Sequence, residues 1–176
     1  MKNILLIILV AFNATLAAQV RSRACDAEDI RVDELGNVYL LHESRIELLD
    51  RELEVVQVYN PSVVERIHHV DVSRSLRPMV FYRDQGKIVY LDNTLNEHNE
   101  PIDLYRSNFQ RVEAAGVSVD NHIWLYDAGQ IELYRLDQNL KIIQRSGNLG
   151  NWIEGDTHFQ FVREIDDLVY LFGEAG

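Results

Sequence analysis

Four short runs of consecutive apolar or aromatic residues stand out along a chain of 176 residues: VYLL at 38–41, VFYR at 80–83, IWLY at 123–126 and VYLF at 169–172. Aligned on these runs, Tyr39, Phe81, Trp124 and Tyr170 fall into register at separations of 42, 43 and 46 residues. Seven residues after each of the first three aromatics stands an isoleucine (Ile46, Ile88, Ile131), and Leu-Asp-x-x-Leu follows at 49–53, 91–95 and 136–140. Each unit therefore reads as a short strand ending near an Asp, an apolar second strand, a polar hairpin turn, a third strand that tends to alternate, and a fourth beginning at the Leu of Leu-Asp-x-x-Leu. Unbroken apolarity marks a strand covered on both faces, and alternation marks one with a wet face.

A period in the low-to-mid forties is the length of one four-stranded propeller blade. The gradient from buried to half-wet strands suits such a blade, whose inner strands lie between neighbours while its outer strands approach solvent. The fold class expected is all-β: a partial β-propeller of about three and a half antiparallel blades at 30–59, 67–103, 112–145 and 159–176. The fourth strand of the second blade, NEHNEPID, has little apolar content and reads as a frayed edge or loop. Stacked repeats bury their cores against neighbours and usually need caps, and the sequence offers no evident cap.

Residues 1–18 carry one basic residue, an apolar run and then small residues, the layout of a secretory signal peptide. The apolar run falls short of the roughly 20 residues of a membrane-spanning helix, so no integral membrane segment is expected after cleavage. Residues 19–29 read as a flexible N-terminal segment, and the protein is expected to be exported, periplasmic or extracellular. Formal net charge is −11, or −12 once Lys2 leaves with the leader. Such acidity argues against nucleic acid or an anionic membrane as partner. Cys25 is the single cysteine, so no intrachain disulfide forms; no lipobox precedes it.

Candidate chemistry is sparse. His68-His69-x-Asp71 looks metal-like, yet adjacent strand residues point to opposite faces, so one buried and one exposed His is expected. Asp33, Asp71, Asp120 and Asp166 recur near the ends of the expected inner strands, where a ring of carboxylates would favour a hard cation such as calcium. Asp is also a turn former at such positions, and that reading comes first. No catalytic motif, phosphate-cradling loop or EF-hand is present, and no cofactor is expected. Trp124 belongs to a buried strand, whereas Trp152 lies in a glycine-rich link.

The leader, the strand GNVYLL leading into IELLDREL, and NHIWLY leading into IELYRLDQNL together resemble exported bacterial β-propeller proteins of the NHL-repeat and TolB-like architecture. The resemblance covers about residues 30–172. It implies a fold and a longer protein, with this chain ending inside a blade, and it implies no catalytic or binding residue. Two functions fit: a non-catalytic module that binds a protein or ligand, with self-association or a complementing chain completing the arc, or a propeller-type hydrolase or lyase using channel-mouth carboxylates. A truncated product without function is a third.

Overall fold

The computed structural model describes residues 20–61, 65–155 and 157–173. The expected leader lies outside them. Three four-stranded antiparallel sheets follow one another along the chain, each with its strands in sequence order, and a two-stranded sheet follows them. Blade one comprises β1 (Asp29–Val32), β2 (Val38–Leu41), β3 (Ile46–Leu49) and β4 (Val55–Tyr59). Blade two comprises β5 (His69–Asp71), β6 (Met79–Tyr82), β7 (Lys87–Tyr90) and β8 (Ile102–Asp103). Blade three comprises β9 (Val112–Val117), β10 (Ile123–Asp127), β11 (Glu132–Leu136) and β12 (Ile142–Asn148). The last pair is β13 (Phe159–Ile165) and β14 (Leu168–Gly173). The fourth strand of blade two, as its polar sequence foretold, shrinks to two residues.

Side-chain alternation explains why the second strands are apolar throughout. In β6, Val80 and Tyr82 enter the core shared with blade one, while Met79 and Phe81 enter the core shared with blade three. In β10, Ile123 and Leu125 face blade two, and Trp124 and Tyr126 face the last sheet. Blades two and three are thus inner layers, each with a core on both faces, and fully burying one such side chain contributes roughly 1.5–3 kcal/mol. The register aromatics all point the same way: Tyr39 into the core with blade two, Phe81 into that with blade three, Trp124 into that with the last sheet. Polar ties cross the same junctions. Val117 N donates to Asp71 Oδ2 at 2.8 Å, and Trp124 Nε1 donates to Glu164 at 2.8 Å.

The Leu-Asp-x-x-Leu segments form one turn, used three times. The carboxylates of Asp50, Asp92 and Asp137 each accept from the backbone N–H groups two and four residues on. The second Leu does not open the fourth strand, as its apolarity suggested. Leu53, Leu95 and Leu140 instead adopt left-handed φ of 64°, 59° and 62° inside the turn, and the strand begins later. That conformation costs a non-glycine residue roughly 1–2 kcal/mol. Burial offsets it: Leu95 is 3% exposed within the first core, and Leu140 packs against the second.

The N-terminal segment supplies the cap that the sequence did not advertise. Residues 20–28 form a strap whose Arg21, Arg23 and Cys25 lie against the outer face of blade one, over Val38, Leu40 and Leu49. Leu40 and Leu49 are buried there. Arg21 pairs with Glu52, and Arg23 donates to Leu53 O at 2.8 Å. A strap without periodicity, fixed by side-chain bonds to loops, leaves no hydrophobic pattern to read.

Candidate functional site at the channel and its mouths

The first strands of blade one, blade two and the last sheet line a central channel. A cavity of about 290 Å³ lies between β1, β5 and β13. His69 stacks on Phe161 with centroids 4.9 Å apart and planes 6° from parallel, and the Arg31 guanidinium lies 5.6 Å from the same ring. Burial holds His69 neutral, well below the ordinary histidine range. Gly116 of β9 sits where a side chain would not fit, because a Cβ there would come within 2.1 Å of Val162 O.

The four sequence-derived aspartates lie at the first turn of their sheets, and the carboxylates of Asp33, Asp71 and Asp120 bond within those turns. Asp33 Oδ1 accepts from Leu35 N and Asn37 N at 2.9 Å, and its Oδ2 accepts from Tyr39 Oη at 3.1 Å. Asp71 accepts from Ser73 N at 2.9 Å besides its bond from Val117 N, and it alone of the four lines the channel cavity. Asp120 does not occupy the position of Asp33. Ser118 does, accepting from His122 N four residues on, with Asn121 in the left-handed region where blade one has Gly36. Asp120 instead accepts a hydrogen bond from the Ser118 hydroxyl and pairs with Arg135 at 2.6 Å. Those partners hold its carboxyl below the usual range. Asp166 and Asp167, at φ of 49° and 63°, form the two-residue hairpin between β13 and β14. Among the described residues, no group of three or more His, Cys, Asp or Glu side chains could hold a metal ion.

Polar chemistry collects at the opposite mouth, where the first strands begin. A cavity of about 390 Å³ is lined there by Glu28, Arg66, His68, Arg83, Asp84 and Gln160. His68 contacts both the Arg83 guanidinium and Gln160 O. Burial and the neighbouring Arg83 push its pKa down to about 4. Arg83 Nε also donates to Glu113 O at 3.1 Å. The buried Glu113 carboxylate in turn meets His158 at 2.9 Å and Arg111 at 3.2 Å. The His-His pair thus separates as alternation requires, His69 into the channel and His68 to its mouth. Nothing in the sequence joins residues 66–68, 83, 113 and 158–160. Their only shared signal is position, at the start of a first strand or in the hairpin after a second.

No protein-family model and no curated protein matches the sequence. Solved structures do match. A streptogramin B lyase is 14% identical with a TM-score of 0.60, over 81% of this chain and 46% of that one. The virginiamycin B lyase of Staphylococcus aureus is 9% identical with a TM-score of 0.57, over 81% and 47%. The extracellular domain of BT3049 from B. thetaiotaomicron is 8% identical with a TM-score of 0.55, over 83% and 23%. These identities speak to fold alone. The chain is all-β and built as a β-propeller, with three four-stranded blades and two strands of a fourth. It spans about half the length of the two lyases. Among the described residues, no helix is long and apolar enough to cross a membrane.

Proposed function

We propose that this chain is a non-catalytic binding module on an exported β-propeller frame, which engages a protein or ligand partner at the mouth formed by Arg66, His68, Arg83 and Gln160. The observation that carries the reading is the cavity of about 390 Å³ at that mouth. Segments at the ends of strands from three sheets converge on it with both cationic and carboxylate groups. Loops on a fixed frame are where propellers and similar scaffolds place recognition. A site bearing both charges suits a partner that presents hydrogen-bonding groups of both signs. Export is supported by the layout of residues 1–18, and the BT3049 domain, an extracellular protein of like fold, agrees with it.

The test is photo-crosslinking in the envelope fraction of the source cells, with a crosslinker at position 160. A discrete adduct that is lost in Arg66→Glu, while the melting curve of that variant is unchanged, supports the mouth as the binding site. An adduct insensitive to Arg66→Glu overturns it. A calcium-dependent heat signal abolished by Asp33→Asn and Asp71→Asn shifts the reading to channel-mouth carboxylates at the other end and to the hydrolase or lyase alternative.

A further inference from the structure

His69 is a buried polar side chain without a polar partner. It is 6% exposed, it lines the channel cavity of about 290 Å³, and neither ring nitrogen reaches a hydrogen-bond partner among the described residues. Neither nitrogen is sealed from solvent either. Stacking fixes the ring: it lies on Phe161, which lies in turn on Phe172 with centroids 4.3 Å apart and planes 14° from parallel. Packing thus holds the imidazole in place while its hydrogen-bonding capacity goes unused, and a buried polar group in that condition is costly unless a partner arrives. Two guanidinium groups line the same cavity, and they differ. Arg31 is tied to Asp29, at 2.7 Å to Oδ1 and 2.6 Å to Oδ2. Arg163, on β13, has no ion pair or hydrogen bond among the described residues. Burial chiefly, and then both guanidinium groups, hold His69 neutral against the pull of Asp71. A neutral imidazole offers one donor and one acceptor. Asp71 lies two residues on along β5, on the same side of the strand. Its two oxygens accept one backbone N–H each, from Ser73 and Val117, which leaves each a lone pair for a further donor. Val32, 59% exposed, adds an apolar patch to the wall.

We propose that this cavity binds a small α-hydroxycarboxylate with a short apolar body, its carboxylate on Arg163, its hydroxyl between His69 and Asp71, and its apolar end against Val32. Each part of the ligand answers a group that the fold leaves over. The planar fork of a guanidinium matches a carboxylate, and Arg163 is the one of the two cavity arginines that Asp29 does not already engage. A hydroxyl both accepts and donates, so it takes the His69 N–H and gives its own proton to Asp71 as a hydrogen bond. A bare carboxylate would leave Asp71 with nothing to receive. Size limits the class further: pockets for drug-sized ligands begin at about 300 Å³, and this cavity stands at that lower bound, so only a few heavy atoms beyond the acid fit. The site is separate from the polar mouth, since none of Arg66, His68, Arg83 and Gln160 lines it.

Isothermal titration calorimetry on the purified full chain tests the proposal with lactate, mandelate and phenyllactate as probes. At least one is expected to bind, and Arg163→Met and His69→Phe are each expected to weaken it about tenfold or more, the loss of one charge-assisted or buried hydrogen bond. His69→Phe keeps an aromatic ring on Phe161 and removes only the nitrogens. The primary amide of the acid that binds, and its analogue without the hydroxyl, are expected to bind more weakly by a similar factor, whereas Arg66→Glu at the mouth is expected to change nothing. Absence of binding by all three acids overturns the proposal, as does an amide that binds as well as its acid or an affinity untouched by Arg163→Met. Loss of binding in Arg66→Glu places the acid at the mouth and overturns it too. If His69→Phe loses its β-sheet circular dichroism, Arg163→Met, at an exposed position of β13, decides under the same criteria.

Discussion

Adding a single methyl group at Gly116 tests the packing of the last sheet against blade three. Glycine is used here for room alone, since its φ lies outside the left-handed region. A Cβ built on it stands 2.1 Å from Val162 O, 2.9 Å from Val162 C and 3.4 Å from Val162 Cβ. The first two neighbours are backbone, so β13 must move as a strand, by more than an ångström. Overpacking of this kind costs about 1–3 kcal/mol, and a backbone clash belongs at the upper end. Removing glycine from the unfolded chain returns about 0.4–1 kcal/mol. Gly116→Ala is therefore expected to destabilise by about 1–2.5 kcal/mol net, lowering Tm by about 2–10 °C for a chain of this size. Urea unfolding followed by circular dichroism measures the loss. The fluorescence of Trp124, buried at the same junction, should shift to the red if β13 moves away. Gly36→Ala is the control: nothing lies within 4 Å of its Cβ, but its φ is +81°, so strain of about 1 kcal/mol arises there without a clash. A Gly116→Ala protein within 0.5 kcal/mol of the parent, with unshifted Trp fluorescence, would refute the close approach of β9 and β13.

Other substitutions probe the remaining forces. Leu95→Ala should cost about 2–5 kcal/mol by chemical denaturation, the range for truncating a buried leucine, although Leu95 sits in a turn where sequence scales expect tolerance. Asp127 is fully buried and accepts from Gln110 N, Arg111 N and Gly129 N. Asp127→Ala strands these donors and should cost about 3 kcal/mol or more, with Asp127→Asn recovering part of it. The folded-state pKa of both His68 and His69 lies below the ordinary histidine value of 6.5, so the unfolded chain binds more protons as pH falls. Stability should hold above pH 6.5 and decline from there toward about pH 4, where His68 itself titrates. His68→Gln and His69→Gln should each flatten that slope in melts taken across the window. An unchanged slope in both would remove the histidines as its cause.

The architecture was legible because one rule recurs at a fixed spacing. The aromatics at 39, 81 and 124 share a direction, and the Asp of each Leu-Asp-x-x-Leu accepts the same two N–H groups. Where the chain solves one problem with different residues, spacing alone does not show the role. Ser118 and Asp33 serve equivalent turns with a hydroxyl and a carboxylate, and Asp120 stands beside the equivalent position rather than at it. Asp166 also follows a first strand, but the last sheet uses a tighter hairpin in which backbone conformation decides. The polar mouth was invisible for a different reason: its members come from distant segments and meet only because strands that begin together also end up side by side. Trp152, 82% exposed in its link, and Trp124, 5% exposed in β10, divide as their contexts require.

The thrice-used turn has a bearing on how such a chain changes over generations. Its hydrogen bonds begin and end within five residues and ask nothing of the neighbouring sheet, so register is reset at each third-to-fourth strand connection. An error of alignment introduced in one unit stops there. Copying, losing or exchanging a whole unit at such a point leaves the internal order of the others intact, and only the match of one flat apolar surface to the next has to be renegotiated.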